Sequence, residues 1–237
     1  MNILGVITAR GGSKGVPRKN IKLLGAYPLI SYTVKVAQKS KLLTDLIVST
    51  DNEEIASVCR EYRVDVPFIQ PAELAKDTST HLEVMQYAVK FMEEKKDIVY
   101  DYAVIFQPTS PFRIVEDIDK TIEKIIEHNA DSAFSMCEIE QNQHPIKAKK
   151  MEGDTVLPYC GEEKVGTHRQ DFPVVYKRSG AVYVTKRDLI IKDNRMFGDF
   201  IVGHIVPLER SIDIDSPFDW VKAEYMLEEL KKSGYVF

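Results

Sequence analysis

Residues 9–20, Ala9-Arg10-Gly11-Gly12-Ser13-Lys14-Gly15-Val16-Pro17-Arg18-Lys19-Asn20, combine three glycines with four cations. Glycines let backbone N–H groups come close to phosphate oxygens, and Arg and Lys neutralise the charge of a triphosphate. By composition this is a polyanion site. The spacing matches neither G-x-x-x-x-G-K-[ST] nor G-x-G-x-x-G, so neither the Walker nor the dinucleotide mechanism is licensed. A solvated basic turn is the competing reading, and the placement of four cations around three glycines at a strand end weighs against it.

A second group of interest is Asp213-Ile214-Asp215, inside Ser211-Ile212-Asp213-Ile214-Asp215-Ser216-Pro217. Carboxylates separated by one residue point to the same side of an extended backbone and can face one hard cation, such as Mg²⁺ bridging to a nucleotide. An aspartate ahead of a proline-initiated helix can also serve as its cap, which would explain Asp215. Asp213 lies too far upstream for that role. A third segment, Gln107-Pro108-Thr109-Ser110-Pro111-Phe112-Arg113, holds polar groups between two prolines and reads either as a substrate-reading loop or as a plain turn. Thr167-His168-Arg169-Gln170 and Lys177-Arg178-Ser179-Gly180 carry cations that can meet a substrate carboxylate or simply solvate the surface.

Other chemistries lack support. The five histidines show no HExxH spacing, and no serine sits in G-x-S-x-G. Cys59, Cys137 and Cys160 lie far apart with no metal-ligand spacing, so all three are expected to be reduced and to play packing roles. No residue stands out as a general base.

The elements that must position these groups alternate between strand and helix. Ile3 to Thr8 is a short apolar run that stops at the glycine-rich loop, the pattern of a buried strand. Pro28 opens a helix through about Lys39, Asp45 to Thr50 is a second strand, and Asp51 is expected to cap the helix that starts Asn52-Glu53-Glu54. Val64 to Ile69 is extended. Thr80-His81-Leu82-Glu83 is a capping box, after which Leu82, Met85, Val89 and Met92 share one helical face. Tyr102 to Phe106 is a strand and Val115 to Glu127 a helix, whereas from about Cys137 to Gln170 the periodicity lapses into a polar excursion, expected to be a hairpin that contacts a second subunit. Ala181 to Thr185, Phe200 to Val206 and a final helix from Pro217 to Lys232 complete the pattern. Such alternation predicts an α/β fold, a mainly parallel sheet with helices on both faces, whose ligands bind at the carboxyl ends of strands. The loops after Thr8, Thr50 and Phe106 are therefore the candidates.

The 237 residues carry 32 Lys and Arg against 36 Asp and Glu, a balance that argues against nucleic acid as the partner. No linker rich in Pro, Gly or Ser divides the chain, so residues 1–237 are expected to form a single domain. No stretch reaches the roughly 18 apolar residues of a membrane span. Met1-Asn2-Ile3-Leu4-Gly5-Val6-Ile7 meets Arg10 without the pattern of a signal peptide, and the expected location is cytoplasmic.

Taken together, residues 9–20, PAELAKD at 71–77, QPTSPFR at 107–113, RSGAVYV at 178–184 and SIDIDSPFDW at 211–220 resemble the acylneuraminate cytidylyltransferases, the CMP-sialic and CMP-nonulosonic acid synthetases. The five segments occur in order across essentially the whole chain. The resemblance implies a Rossmann-like nucleotidyltransferase fold, a homodimer formed through the excursion, and Mg²⁺-dependent transfer of CMP from CTP to a nonulosonic acid. By that likeness Arg10, Gly12, Ser13, Lys14 and Lys19 hold the triphosphate, Asn20 helps place the nucleoside, and Asp213 and Asp215 bind the metal. Lys14, Lys19 and the two aspartates would carry the catalysis, while Gln107, Arg169 and Tyr183 line the sugar-acid pocket. Gln70 stands where members of the family commonly carry Arg to read the cytosine, and its amide can still hydrogen-bond a pyrimidine edge. The nearest rival is a synthetase of CMP-3-deoxy-octulosonate. An ATP-dependent phosphotransferase and a noncatalytic nucleotide-binding regulator are the rivals from other classes.

Overall fold

The computed structural model describes residues 1–13, 15–74, 79–161 and 172–236. Strand β1 (Ile3–Thr8) leads into the glycine-rich loop, and two short antiparallel strands, β2 (Leu23–Leu24) and β3 (Tyr27–Pro28), precede α1 (Leu29–Ala37). Then come β4 (Asp45–Ser49), α2 (Glu53–Glu61), α3 (His81–Lys96), β5 (Tyr102–Phe106), α4 (Val115–Glu127) and β6 (Ser132–Glu138). A hairpin of β7 (Lys149–Glu152) and β8 (Thr155–Pro158) stands apart from the main sheet. The chain returns through β9 (Tyr176–Lys186), α5 (Arg187–Ile191), β10 (Ile201–Ile205) and α6 (Pro217–Lys232).

The main sheet runs β10-β6-β9-β5-β1-β4. β1 pairs in parallel with both β4 and β5, and β10 pairs in parallel with β6; only β9 runs antiparallel, between β5 and β6. Because β1 has β4 on one side and β5 on the other, the chain changes direction across the sheet beside β1. A crevice opens at the carboxyl end of such a switch, where the diverging loops leave room for a ligand.

Alternation along β1 sorts the two faces. Ile3 and Ile7 pack with Ile30 and Val34 of α1, Ile55 of α2 and Ile118, Ile122 and Ile125 of α4. Leu4 and Val6 face Met85, Val89 and Met92 of α3 and Ile190 of α5. These side chains are almost wholly buried, and each removes enough apolar surface to contribute about 1.5–3 kcal/mol. A third cluster seats Trp220, Ala223 and Leu227 of α6 on Val16, Phe112 and Ile214. That cluster matters for the site, since it anchors the glycine-rich loop and the aspartate segment to one helix.

Several expectations need correction. Asn52, not Asp51, is the N-cap of α2: its side chain accepts from the Ile55 amide at 3.0 Å. The stretch from Val64 to Ile69 is extended but makes only two isolated bridges, Ile47 with Asp65 and Thr50 with Ile69. Cys137 is the next-to-last residue of β6, so the chain leaves the main sheet at about Ile139, two residues later than its composition suggests. Cys59 and Cys137 are buried free thiols in keeping with packing, but Cys160 is exposed and its Sγ lies 2.9 Å from the Pro145 carbonyl oxygen. Among the described residues no helix is long and apolar enough to cross a membrane.

Candidate active site

A cleft of about 460 Å³ opens at the carboxyl end of β1 and gathers Arg10, Ser13, Lys19, Asn20, Gln70 and Gln107 with Asp213 and Asp215. Eight residues singled out from the sequence thus surround one space, although the chain separates their extremes by about 200 positions. Gly12 is exposed and does not line the cleft. Tyr183 does not line the cleft either; its ring lies edge-on to Phe134 at 5.5 Å and under the Arg178 guanidinium at 5.9 Å. Lys14 and Arg169 lie outside the described residues.

The loop after β1 is curled by its own backbone and by neighbours. Ser13 N–H donates to the Gly11 carbonyl at 3.0 Å, the Asn20 side-chain amide donates to the Arg10 carbonyl at 2.9 Å, and Arg18 adopts a left-handed conformation at φ 54° before a short 3₁₀ turn at Lys19–Ile21. Gly11 N–H donates to Asp51 Oδ1 at 2.7 Å. That bond is where Asp51 is used, instead of as a helix cap. Gly15 answers a closer constraint, because a Cβ there would lie 1.9 Å from the Asp215 carbonyl oxygen. Only glycine lets the basic loop rest against the aspartate segment.

Lys19 is nearly buried and ties these two pieces together. Its Nζ donates to the Ile214 carbonyl at 2.5 Å and pairs with Asp215 Oδ1 at 3.0 Å. Asp215 does not cap α6, since Ser216 is the cap, in a box with Asp219. Both carboxylates are therefore available to the cleft. The surface of Asp213 reaches solvent, yet the protein atoms around it raise its pKa by desolvation, and the negative charge of Asp215 adds to that rise. A hydrogen bond from the Thr109 side chain and the charges of Lys19 and Arg113 oppose it. Two like-charged carboxylates this close are a natural place for a cation.

The opposite wall is the turn after β5. Gln107 lies 3.5 Å from the His81 ring, Nε2 to Nε2. Desolvation and the nearby Arg10 lower the His81 pKa, which keeps that ring neutral at pH 7. Gln70 is buried and donates from its side-chain amide to Ser49 Oγ at 2.7 Å. His81 was not foreseen as a site residue; the capping box around it was legible, but not that the box would open onto the cleft. Thr109 and Arg113 were visible only as parts of the turn motif.

Asp213 and Asp215 form a pair, and among the described residues no group of three or more His, Cys, Asp or Glu side chains can hold a metal ion. Two carboxylates are nonetheless what Mg²⁺ uses when substrate phosphates and water complete its octahedron. The donor set fits. A second cavity of about 570 Å³, lined by Lys177, Arg178 and Ser179, shares Asp213 with the first.

The chain is 32% identical over 238 residues to the CMP-N,N'-diacetyllegionaminic acid synthase of Legionella pneumophila, covering 96% of this chain and 97% of that protein. It is 28% identical over 236 residues to the pseudaminic acid cytidylyltransferase of Campylobacter jejuni, covering 99% and 100%. Among solved structures, a CMP:2-keto-3-deoxy-manno-octonic acid synthetase complexed with CTP superposes with a TM-score of 0.72 at 14% identity, covering 97% of this chain and 100% of that one, a likeness of fold. The cytidylyltransferase family profile matches residues 4–198, and the chain belongs to that family of enzymes, as its five motifs led one to expect.

Proposed function

We propose that the protein transfers CMP from CTP to the anomeric hydroxyl of a nonulosonic acid, with release of pyrophosphate. The observation that carries this reading is the convergence of the basic loop, Lys19, Gln107 and the aspartate pair on one cleft at the switch point of the sheet. The relatives at 28–32% identity bear the names of enzymes for legionaminic and pseudaminic acid, whereas the octulosonate synthetase is similar in fold alone. That contrast favours a nonulosonic acid over the octulosonate.

In this mechanism the triphosphate lies along the loop from Arg10 to Asn20, which meets it with N–H groups and cations. Bound Mg²⁺ would supply electrophilic stabilisation of the charge that develops on the phosphoryl oxygens. Asp213 and Asp215 would hold it. Lys19, whose Nζ pairs with Asp215, stands where its ammonium can also reach phosphate oxygens along the loop. Gln107 faces the sugar acid, and Gln70 reads the edge of the base. Catalysis is then positioning plus electrostatics, without a covalent enzyme intermediate.

The protein would act as a homodimer in the cytoplasm, where CTP is made. Support for the dimer comes from β10, an edge strand with exposed Ile201 and Ile205 next to exposed Phe200, and separately from the hairpin, which exposes Met151 and Val156. Apolar residues on an unpaired edge are suited to burial by a second copy. The test is a pyrophosphate-release screen of the four nucleoside triphosphates against nonulosonic acids and the octulosonate, with and without Mg²⁺. Release only with CTP, a nonulosonic acid and metal is the expected result; release with ATP alone, or with the octulosonate alone, overturns the reading. Light scattering at micromolar concentration should give twice the chain mass.

A further inference from the structure

Arg113 is the largest side chain among the described residues to be fully buried, at 1% exposure. Its Nη2 donates to the carbonyl of Gln107 and, at 2.8 Å, to that of Ser110. Nε and Nη1, also buried, have no partner among the described residues. For stability alone this is a poor arrangement, because a desolvated cation with unpaired N–H groups costs free energy that an apolar side chain of the same size would not. What the guanidinium does achieve is to close the turn from Gln107 to Ser110 from beneath.

That turn is the support of the aspartate segment. Its Thr109 carbonyl accepts from Ile214 N–H at 2.9 Å, between the two aspartates, and the Thr109 side chain bonds Asp213. On its other side Ser110 lies against β9, where Gly180, at φ 80°, leaves room that a Cβ would fill to within 2.4 Å of Ser110 Oγ. The same turn presents Gln107 to the cleft.

We propose that Arg113 is a positioning residue for the transfer reaction: its guanidinium fixes the Gln107–Ser110 turn, and through the Thr109 carbonyl sets where Asp213 and Asp215 stand relative to Gln107 and Lys19. The assignment rests on the cytidylyltransfer reading for its kinetic consequence, but its structural half can be measured without turnover.

The experiment compares wild-type protein with Arg113→Met and Arg113→Lys. Replacing a buried, partly unpaired cation by Met is neutral or stabilising for a fold, so Arg113→Met should keep its Tm within a few degrees. Its kcat should fall at least about tenfold while KM for CTP stays within about twofold, because the basic loop is untouched. Amide exchange at Ser110 and Ile214 should speed up at least about tenfold, with the β1 amides unchanged. Wild-type kcat in folded Arg113→Met, or unchanged amide exchange at Ser110 and Ile214 in it, overturns the proposal. Should Arg113→Met not fold, Arg113→Lys decides: its ammonium keeps a charge but reaches the two carbonyls less well, and wild-type kinetics and exchange there also overturn it. If wild-type protein releases no pyrophosphate with any acid tried, the functional reading fails, and the exchange rates alone judge Arg113.

Discussion

Gly15 offers the most direct test of how the site is built. Its φ lies outside the left-handed region, so alanine fits the local backbone, and the only penalty is the contact between loop and aspartate segment. Carbon and carbonyl oxygen approach no closer than about 3.3 Å even in favourable contacts. A Cβ at 1.9 Å from the Asp215 oxygen, with the Asp215 carbonyl carbon at 3.1 Å, therefore forces the two backbones apart by about 1.4 Å. The group that must give is main chain, pinned on one side by Lys19 and on the other by Thr109. A displacement of about 1 Å in a catalytic constellation costs on the order of a hundredfold in rate, or about 2.7 kcal/mol of barrier. Gly15→Ala should accordingly retain its circular dichroism and most of its Tm, since Gly15 is exposed, while pyrophosphate release falls about a hundredfold. A variant with wild-type kcat would show that the loop and the aspartates need not touch during turnover.

Other outcomes follow from the same geometry. Asp215→Asn should fold normally and lose at least about tenfold in turnover, with partial recovery at high Mg²⁺; unchanged activity and metal dependence in both Asp215→Asn and Asp213→Asn would refute the metal assignment. Asp117, 2% exposed, is bonded by Arg210 through both carboxylate oxygens and lies 3.7 Å from His204. Burial alone would raise its pKa, but hydrogen bonds from His204, Arg210 and the Ile114 amide bring it below the ordinary carboxylate value. A carboxylate with a depressed folded pKa contributes stability that is present above its unfolded value and lost as pH falls through the folded one. Asp117→Asn, which strands the buried Arg210, should cost about 3–5 kcal/mol at neutral pH by denaturant titration, and the gap should narrow below about pH 4; an equal gap at acid pH would contradict the linkage.

Legibility in the sequence followed locality. β1, α4 and α6 are readable to the residue because their periodicity is unbroken and their ends carry a glycine loop, acidic first turns or Ser216-Pro217. β6 escaped notice because Ser132 and Ser135 sit on it, and their hydroxyls are satisfied by groups far along the chain: Thr185 and Val182 of β9, and for Ser132 also the Gly198 N–H. α5 is too short to show a helical period. Asp51 and Asn52 are equally good caps by type, and the Gly11 amide decides between them. The two ends of the site were legible, since glycines with cations and spaced carboxylates each form a contiguous motif. Their contact at Gly15 and the hidden work of Arg113 were not, because the first joins positions about 200 residues apart and the second depends on a turn packed against a segment about 100 residues distant.

The reversed direction of β9 has a consequence for how such enzymes can change. Glu138 at the end of β6 is paired with Tyr176 at the start of β9, so the chain leaves the sheet and re-enters it at neighbouring positions. Topologically, everything from 139 to 175 is the loop of one very long hairpin. Its closure entropy grows only with the logarithm of its length, by about 0.6 kcal/mol per doubling. Lengthening, shortening or exchanging that insert leaves the register of β6 on β9 intact, and with it the cleft on the far side of β5. That segment can therefore be rewritten, by evolution or by an engineer, as a cassette hung on a fixed neck.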